Sequence, residues 1–158
     1  MNIKDNIKSI RGKVTLILRN EKTGEIRKYV YHNMFVVYGH NAIAQRLSGD
    51  ADAGEITYCA VGTGTTAPAM SDTALQTELA RKLISVRSYS GNIFTGTTYF
   101  TTSEAIGTLK EAGLFGNGVE RTASATPGSG QIFARVAINR TKSANDSLTI
   151  QWDIEIGA

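Results

Sequence analysis

Cysteine is almost missing from this sequence: Cys59 is the only one in 158 residues. A lone thiol excludes an intrachain disulfide framework and any zinc site that needs more than one cysteine. Histidine is scarce as well, with two residues, which leaves little material for metal ligation or for acid–base chemistry near neutral pH. Long apolar runs are lacking. The best, residues 34–38, is strand-length, far short of the roughly 18–20 residues that cross a bilayer. The first thirteen residues contain nothing like the core of a signal peptide, so a soluble chain without a cleaved leader is expected. Nor is there a marked excess of one charge: 17 Lys and Arg against 14 Asp and Glu give +3, too slight to imply nucleic acid. These shortages make an enzyme the least supported class and imply no cofactor and no metal.

What is present suits a single domain, since 158 residues at 41% hydrophobic and 20% charged can bury a sizeable core. Sixteen glycines, many threonines and two prolines favour strands joined by turns. Four cations, Lys4, Lys8, Arg11 and Lys13, gather at the start, and the reading is a basic, flexible arm over residues 1–12 ahead of one domain over residues 13–158.

Hydrophobic periodicity sets out the elements. Residues 13–19 alternate Val14, Leu16 and Leu18 on one side, and residues 26–31 resume after the polar turn Asn20-Glu21-Lys22-Thr23-Gly24-Glu25, which predicts a hairpin. Ile43 and Leu47 lie four apart before Ser48-Gly49-Asp50, predicting a short helix over 39–47. Strand composition returns over 55–61, and residues 62–68, with two glycines and a proline, form a loop. Ser71 or Asp72 predicts the cap of a second helix through Leu79. Residues 82–89 and 93–102 flank Ser90-Gly91-Asn92 as another hairpin, 111–115 is a short apolar segment, and 116–130 is a long loop. Two C-terminal strands alternate Ile132, Ala134, Val136, Ile138 and Ile150, Trp152, Ile154, Ile156, each with one face in a core and the other towards water or a partner. The predicted class is all-β, an antiparallel β-sandwich with one or two short helices.

Few groups suggest chemistry. Gly62-Thr63-Gly64-Thr65-Thr66 lacks the Gly-Lys-Ser/Thr ending of a Walker loop and the third glycine of a dinucleotide loop, and reads as a structural turn. His32 and His40 have no companion ligands and read as surface or hydrogen-bonded residues. Cys59 sits in a strand and reads as a buried thiol. Glu104 and Glu111 form a conceivable carboxylate pair, but they also bracket a turn beside Lys110. Tyr29, Tyr31, Arg81, Lys82, Arg87 and Tyr89 compose either a stacking face for single strands or an ordinary strand surface with scattered positive charge. Trp152 alternates with Ile150 and Ile154, which assigns it to the core.

Residues 60–68, AVGTGTTAP, are followed by Asp72-Thr73-Ala74-Leu75, Glu78 and Arg81. Then come residues 102–107, TSEAIG, residues 110–115, KEAGLF, Phe133-Ala134-Arg135 and the closing Leu148-Thr149-Ile150-Gln151-Trp152-Asp153-Ile154. In this order they resemble a family of small structural proteins of tailed bacteriophages, described as tail-fibre or tail-associated, over the chain from about residue 13 onward. The resemblance implies a virion component assembled in the bacterial host cytoplasm, present in several copies, without cofactor or catalytic residues. Its partners would be other virion proteins and further copies of itself, by analogy a homotrimer. With no long shaft before Ala158, a compact tail, neck or fibre-attachment subunit is expected. The alternatives are a capsid-decorating protein and, from another class, a carbohydrate-binding module using Tyr58, Tyr89, Tyr99 or Trp152. The expected contact residues are Lys4, Lys8, Arg11 and Lys13 on the arm, Thr63, Thr65 and Thr66 on the glycine–threonine loop, and Pro127 on the long loop.

Overall fold

The computed structural model describes residues 10–50, 54–118 and 121–157. Nine strands and one helix follow in the order β1 (Arg11–Asn20), β2 (Ile26–Phe35), α1 (Val37–Leu47), β3 (Ile56–Gly62), β4 (Glu78–Leu83), β5 (Val86–Ser90), β6 (Ile93–Phe100), β7 (Gly107–Gly116), β8 (Gln131–Lys142) and β9 (Asp146–Glu155). β1 begins at Arg11, two residues before Lys13. The first predicted hairpin forms as β1–β2. The second forms only as β5–β6, because the arm expected over 82–89 is split, residues 82–83 ending β4 against β3 and Ile84-Ser85 breaking the strand before β5. In the first, the Asn20 side chain accepts from the amides of Lys22 and Thr23 at 3.0 Å each, and Gly24 takes a φ of 76° that a side chain would strain.

The second helix expected from Ser71 to Leu79 is not formed. Residues 71–77 are irregular, and β4 already starts at Glu78. Leu75 supplies the physical reason, because it inserts as a buried side chain into an apolar cluster with Val36, Ala60, Phe115 and Ile132, while the Gln76 and Thr77 amides are drawn off to a carboxylate. Tertiary contacts thus take the groups that a helix would have used.

All pairings are antiparallel and join the strands in one continuous order, β4-β3-β7-β8-β2-β1-β9-β6-β5. β2 is the corner strand. Its residues 26–33 pair with β1, whereas Met34 and Phe35 pair with Arg135 and Ala134 of β8. The sheet is strongly curled. β3 and β9 stand five places apart in the order, yet the Trp152 indole N–H of β9 reaches the Cys59 sulfur of β3 at 3.3 Å. Two residues, Ile84 and Ser85, carry the chain from β4 to β5, from one end of the order to the other. Their amides bond Thr57 of β3 and Thr97 of β6.

The concave face holds a shared core that includes Leu16, Leu18, Val61, Phe100, Leu114, Leu148, Ile150 and Trp152. The convex face differs between the two sides. Across β2, β1, β9, β6 and β5 it is open, with Ile26, Lys28, Val30 and Tyr99 exposed. Across β3, β7 and β8 it is covered, and Ile132, Phe133, Ala134, Arg135 and Val136 are all buried, so β8 does not present one face to water there as its alternation predicts. Burial on both faces of an antiparallel strand requires a second layer. Residues 63–77 provide it.

Candidate functional site

That second layer is held by charge. Glu111 on β7 and Arg135 on β8 point to the convex side, and both are buried. One oxygen of the Glu111 carboxylate accepts from the amides of Gly64 at 3.1 Å and Thr77 at 2.8 Å. Its other oxygen accepts from the Gln76 amide at 3.0 Å and from Arg135 Nε at 3.1 Å and Nη2 at 2.7 Å. Arg135 also donates from Nη1 to Asp72 at 2.8 Å and from Nη2 to the Thr66 carbonyl and hydroxyl at 3.0 Å each. Burial works against the Arg135 charge, but the hydrogen bonds and charges of Asp72 and Glu111 outweigh it and hold the group above its ordinary value. The Gln76 side chain closes the loop on itself, accepting from the amides of Thr65 and Thr66 at 2.7 and 2.8 Å.

Geometry explains the two glycines. A Cβ at Gly62 or Gly64 would run into the Glu111 carboxylate, so here glycine answers to close approach and not to a positive φ. With five donors around it, Glu111 is a saturated acceptor and the loop is fastened to the sheet.

A second anchor lies beside it. Arg81 of β4 is buried, stacked with its guanidinium carbon 4.4 Å from the Phe115 ring centre and 5.9 Å from that of Tyr58. It forms a two-pronged pair with Glu78, with Nη2 to Oε2 at 2.7 Å, and Nη1 donates to the carbonyls of Ser129 at 2.8 Å and Ser124 at 3.3 Å. Glu78 in turn accepts from the Gly128 amide at 3.0 Å. Residues 121–130 are thereby pinned next to the first loop, with Pro127 exposed beside Gly128.

The expected contact residues fall out as follows. Thr63, Thr65 and Thr66 are exposed on the fastened loop. Lys4 and Lys8 lie outside the described residues. Arg11 and Lys13 are exposed at the start of β1, and Lys13 Nζ meets Asp153 at 3.1 Å across the open face. The arm and the loops are therefore not shown as one patch.

The other candidates separate. Glu104 and Glu111 belong to different networks. Lys82 holds Glu104 at 2.6 and 2.8 Å, and that hydrogen bond, with a second from the Thr101 amide, lowers its pKa to about 2. Cys59 is fully buried, and burial pushes its thiol up to about 12, an environment that suppresses the reactive thiolate. His40 bonds the Val36 carbonyl at 3.0 Å and sits edge-on to Phe35. With His32 it lines a cavity of about 560 Å³ beside Met34, Pro68 and Met70. Among the described residues no three His, Cys, Asp or Glu side chains gather to hold a metal. A second cavity, about 270 Å³ between α1 and the ends of β6 and β9, is apolar apart from Arg46.

The aromatic and basic set does not converge. Tyr29 and Tyr31 face the concave side, where Arg140 lies 3.9 and 5.8 Å from their ring centres, Arg81 is buried, and Tyr89 stands free on β5. Trp152 is fully buried, as its alternation predicts.

The sequence reading missed Arg135, Gln76 and Asp72 as parts of one device. The available signal was Arg135 itself, a cation between Ala134 and Val136 in an otherwise apolar run. No protein-family model, no curated protein and no solved structure matches this chain.

Proposed function

We propose that this chain is a non-enzymatic structural subunit of a tailed-bacteriophage virion, in the tail, neck or fibre-attachment region, working through contacts with other virion proteins and with copies of itself. One observation carries the reading: of the segments that bear the phage resemblance, residues 60–68 and 72–75, Glu78, Arg81, residues 110–115 and Phe133-Ala134-Arg135 meet around the Glu111–Arg135 and Glu78–Arg81 networks, while residues 102–107 and 148–154 lie outside them. Those networks hold two loops as a stiff outer surface with Thr63, Thr65, Thr66 and Pro127 on the outside. A contact surface benefits from such pre-ordering, because loops that are already fixed lose less entropy on binding. We read the curled sheet as a β-sandwich scaffold, its two sides packed over the shared core that includes Leu16, Leu114 and Trp152.

Mass spectrometry of purified phage particles tests the proposal: the chain is expected in the virion, and its absence would sink the idea. Antibody labelling of intact particles then separates a tail or neck position from capsid decoration. The carbohydrate-binding alternative keeps two of its four aromatics, because Trp152 is buried and Tyr58 lies under Arg81, while Tyr89 on β5 and Tyr99 on β6 are exposed; absence of binding across a glycan array counts against it.

A further inference from the structure

The strand order has two ends, and they are finished differently. Beside β4, Glu78 and Arg81 hold residues 121–130 in place. At the other end β5, with the sequence VRSYS, is exposed at every residue, Tyr89 at 85%, and among the described residues nothing pairs with its outer edge. It has no proline and no lysine to discourage a further strand.

Backbone alternation fixes which groups lie on that edge. The Ile156 amide bonds the Asn92 carbonyl, so Asn92, Phe94 and Gly96 turn their backbones to β9, and Ile93, Thr95 and Thr97 turn theirs to β5. Their partners Ser90, Ser88 and Val86 therefore face β6. The N–H and C=O groups of Arg87 and Tyr89 are left pointing outward.

We propose that this edge pairs antiparallel with β5 of a second copy of the chain about a two-fold axis through Ser88. In that register Arg87 stands opposite Tyr89 of the second copy, and the two symmetric pairs exchange four backbone hydrogen bonds. Arg87, the only charge in the strand, is held within its own chain by Glu55 at 3.6 Å and the Ile56 carbonyl at 3.3 Å, and this register sets it opposite the Tyr89 ring and not opposite its own copy, so self-pairing brings no like charges together. Ser88 meets Ser88 as a non-hydrogen-bonded pair, the arrangement with the closer Cα approach, about 4.5 Å. Five residues make a small interface, at the low end for specific contacts, so the dimer forms at high protein concentration and dissociates on dilution. The pairing stands independently of the virion role.

The test uses the full chain. Light scattering should show a concentration-dependent dimer, and Ser88→Cys should convert it to a disulfide-linked dimer under mild oxidation. Ser90→Cys, two residues off the axis, should cross-link far less, and Cys59 is buried and stays out of the reaction. Tyr89→Pro removes an amide donor that the monomer does not use, and should weaken self-association by about tenfold or more while the melting curve holds. Should that variant fail to fold, Ser88→Lys decides, since it sets like charges opposite each other and should weaken the dimer at low salt with recovery at high salt. A strict monomer at every concentration, a cyclic trimer, or equal cross-linking at positions 88 and 90 would overturn the proposal.

Discussion

The two sides of the curled sheet solve burial by different means. On the open side, β1 and β9 bury mainly one face, with Leu16, Leu18, Leu148, Ile150 and Trp152 inward and Lys13, Arg19, Thr149 and Gln151 on the other face, where only the small polar Thr15 and Ser147 are also buried. On the covered side, β7 and β8 are buried on both faces, and the second face carries a carboxylate and a guanidinium. Burying charge away from water is costly unless each ion finds partners, and here Glu111 and Arg135 find them in the loop they hold. The covered side should therefore be brittle towards polar changes and the open side tolerant of them.

Glu111→Ala is the most direct way to break that contrast. It leaves the Arg135 charge and the Gly64, Gln76 and Thr77 amides without their acceptor, and should cost about 3–5 kcal/mol in urea unfolding. Amide exchange at Gly64 and Thr77 should accelerate together. A Glu111→Leu, Arg135→Met double variant should be more stable than Glu111→Ala, because no fully buried charge is then stranded; Asp72 loses Arg135 but is partly exposed and keeps the Ala69 amide. If the single and double variants are equally impaired, the network does not act as a unit.

Next in size, Arg81→Met keeps the packing volume on Phe115 but gives up the Glu78 pair and the bonds to Ser124 and Ser129. A loss of about 2–3 kcal/mol is expected, with faster exchange confined to residues 121–130.

Acid provides a smaller probe. Glu104 has its folded pKa lowered from 4.5 to about 2, first by the hydrogen bond from Lys82 and then by the Thr101 amide. A depressed carboxylate stabilises the fold above its unfolded pKa, so this contribution is present above about 4.5 and is lost as the pH falls towards 2. Melting temperatures across that window should fall less steeply for Glu104→Gln than for the parent chain. Asp146 and Asp153 are also held low against the effect of burial, Asp146 mainly by bonds from Ser143 and Arg27 and Asp153 by bonds from Gln151, Lys13 and Thr95. Part of the slope will therefore remain.

The smallest effect belongs to the open face: Val30→Thr should change stability by no more than about 0.5 kcal/mol. A larger loss in a monomeric sample would show that this face is covered after all.

Much of the architecture was legible in one dimension. Val14, Leu16 and Leu18 placed β1, Asn20 and Gly24 placed its turn, and Ile150, Trp152 and Ile154 assigned Trp152 to the core. The failures share a cause. Residues 71–77 carried a helix cap but no record of a carboxylate 35 positions along the chain that would claim the Gln76 amide. Glu111 stood out beside Glu104 as a conceivable pair, yet the fold gave one to Arg135 and the other to Lys82.

Local stereochemistry and periodicity act within a few residues, so the sequence by itself determined β1, β2, β8 and β9, the tight turns, helix α1 and the inward face of the C-terminal strand, but not that 71–79 is without a helix or that 82–89 is split between β4 and β5. Only the tertiary structure decided that the sheet curls until β3 meets β9, that Glu111 and Arg135 lie beneath a loop, and that β5 keeps a bare edge. Those outcomes depend on which distant segments come to share a low-dielectric interior and which backbone groups are left facing water.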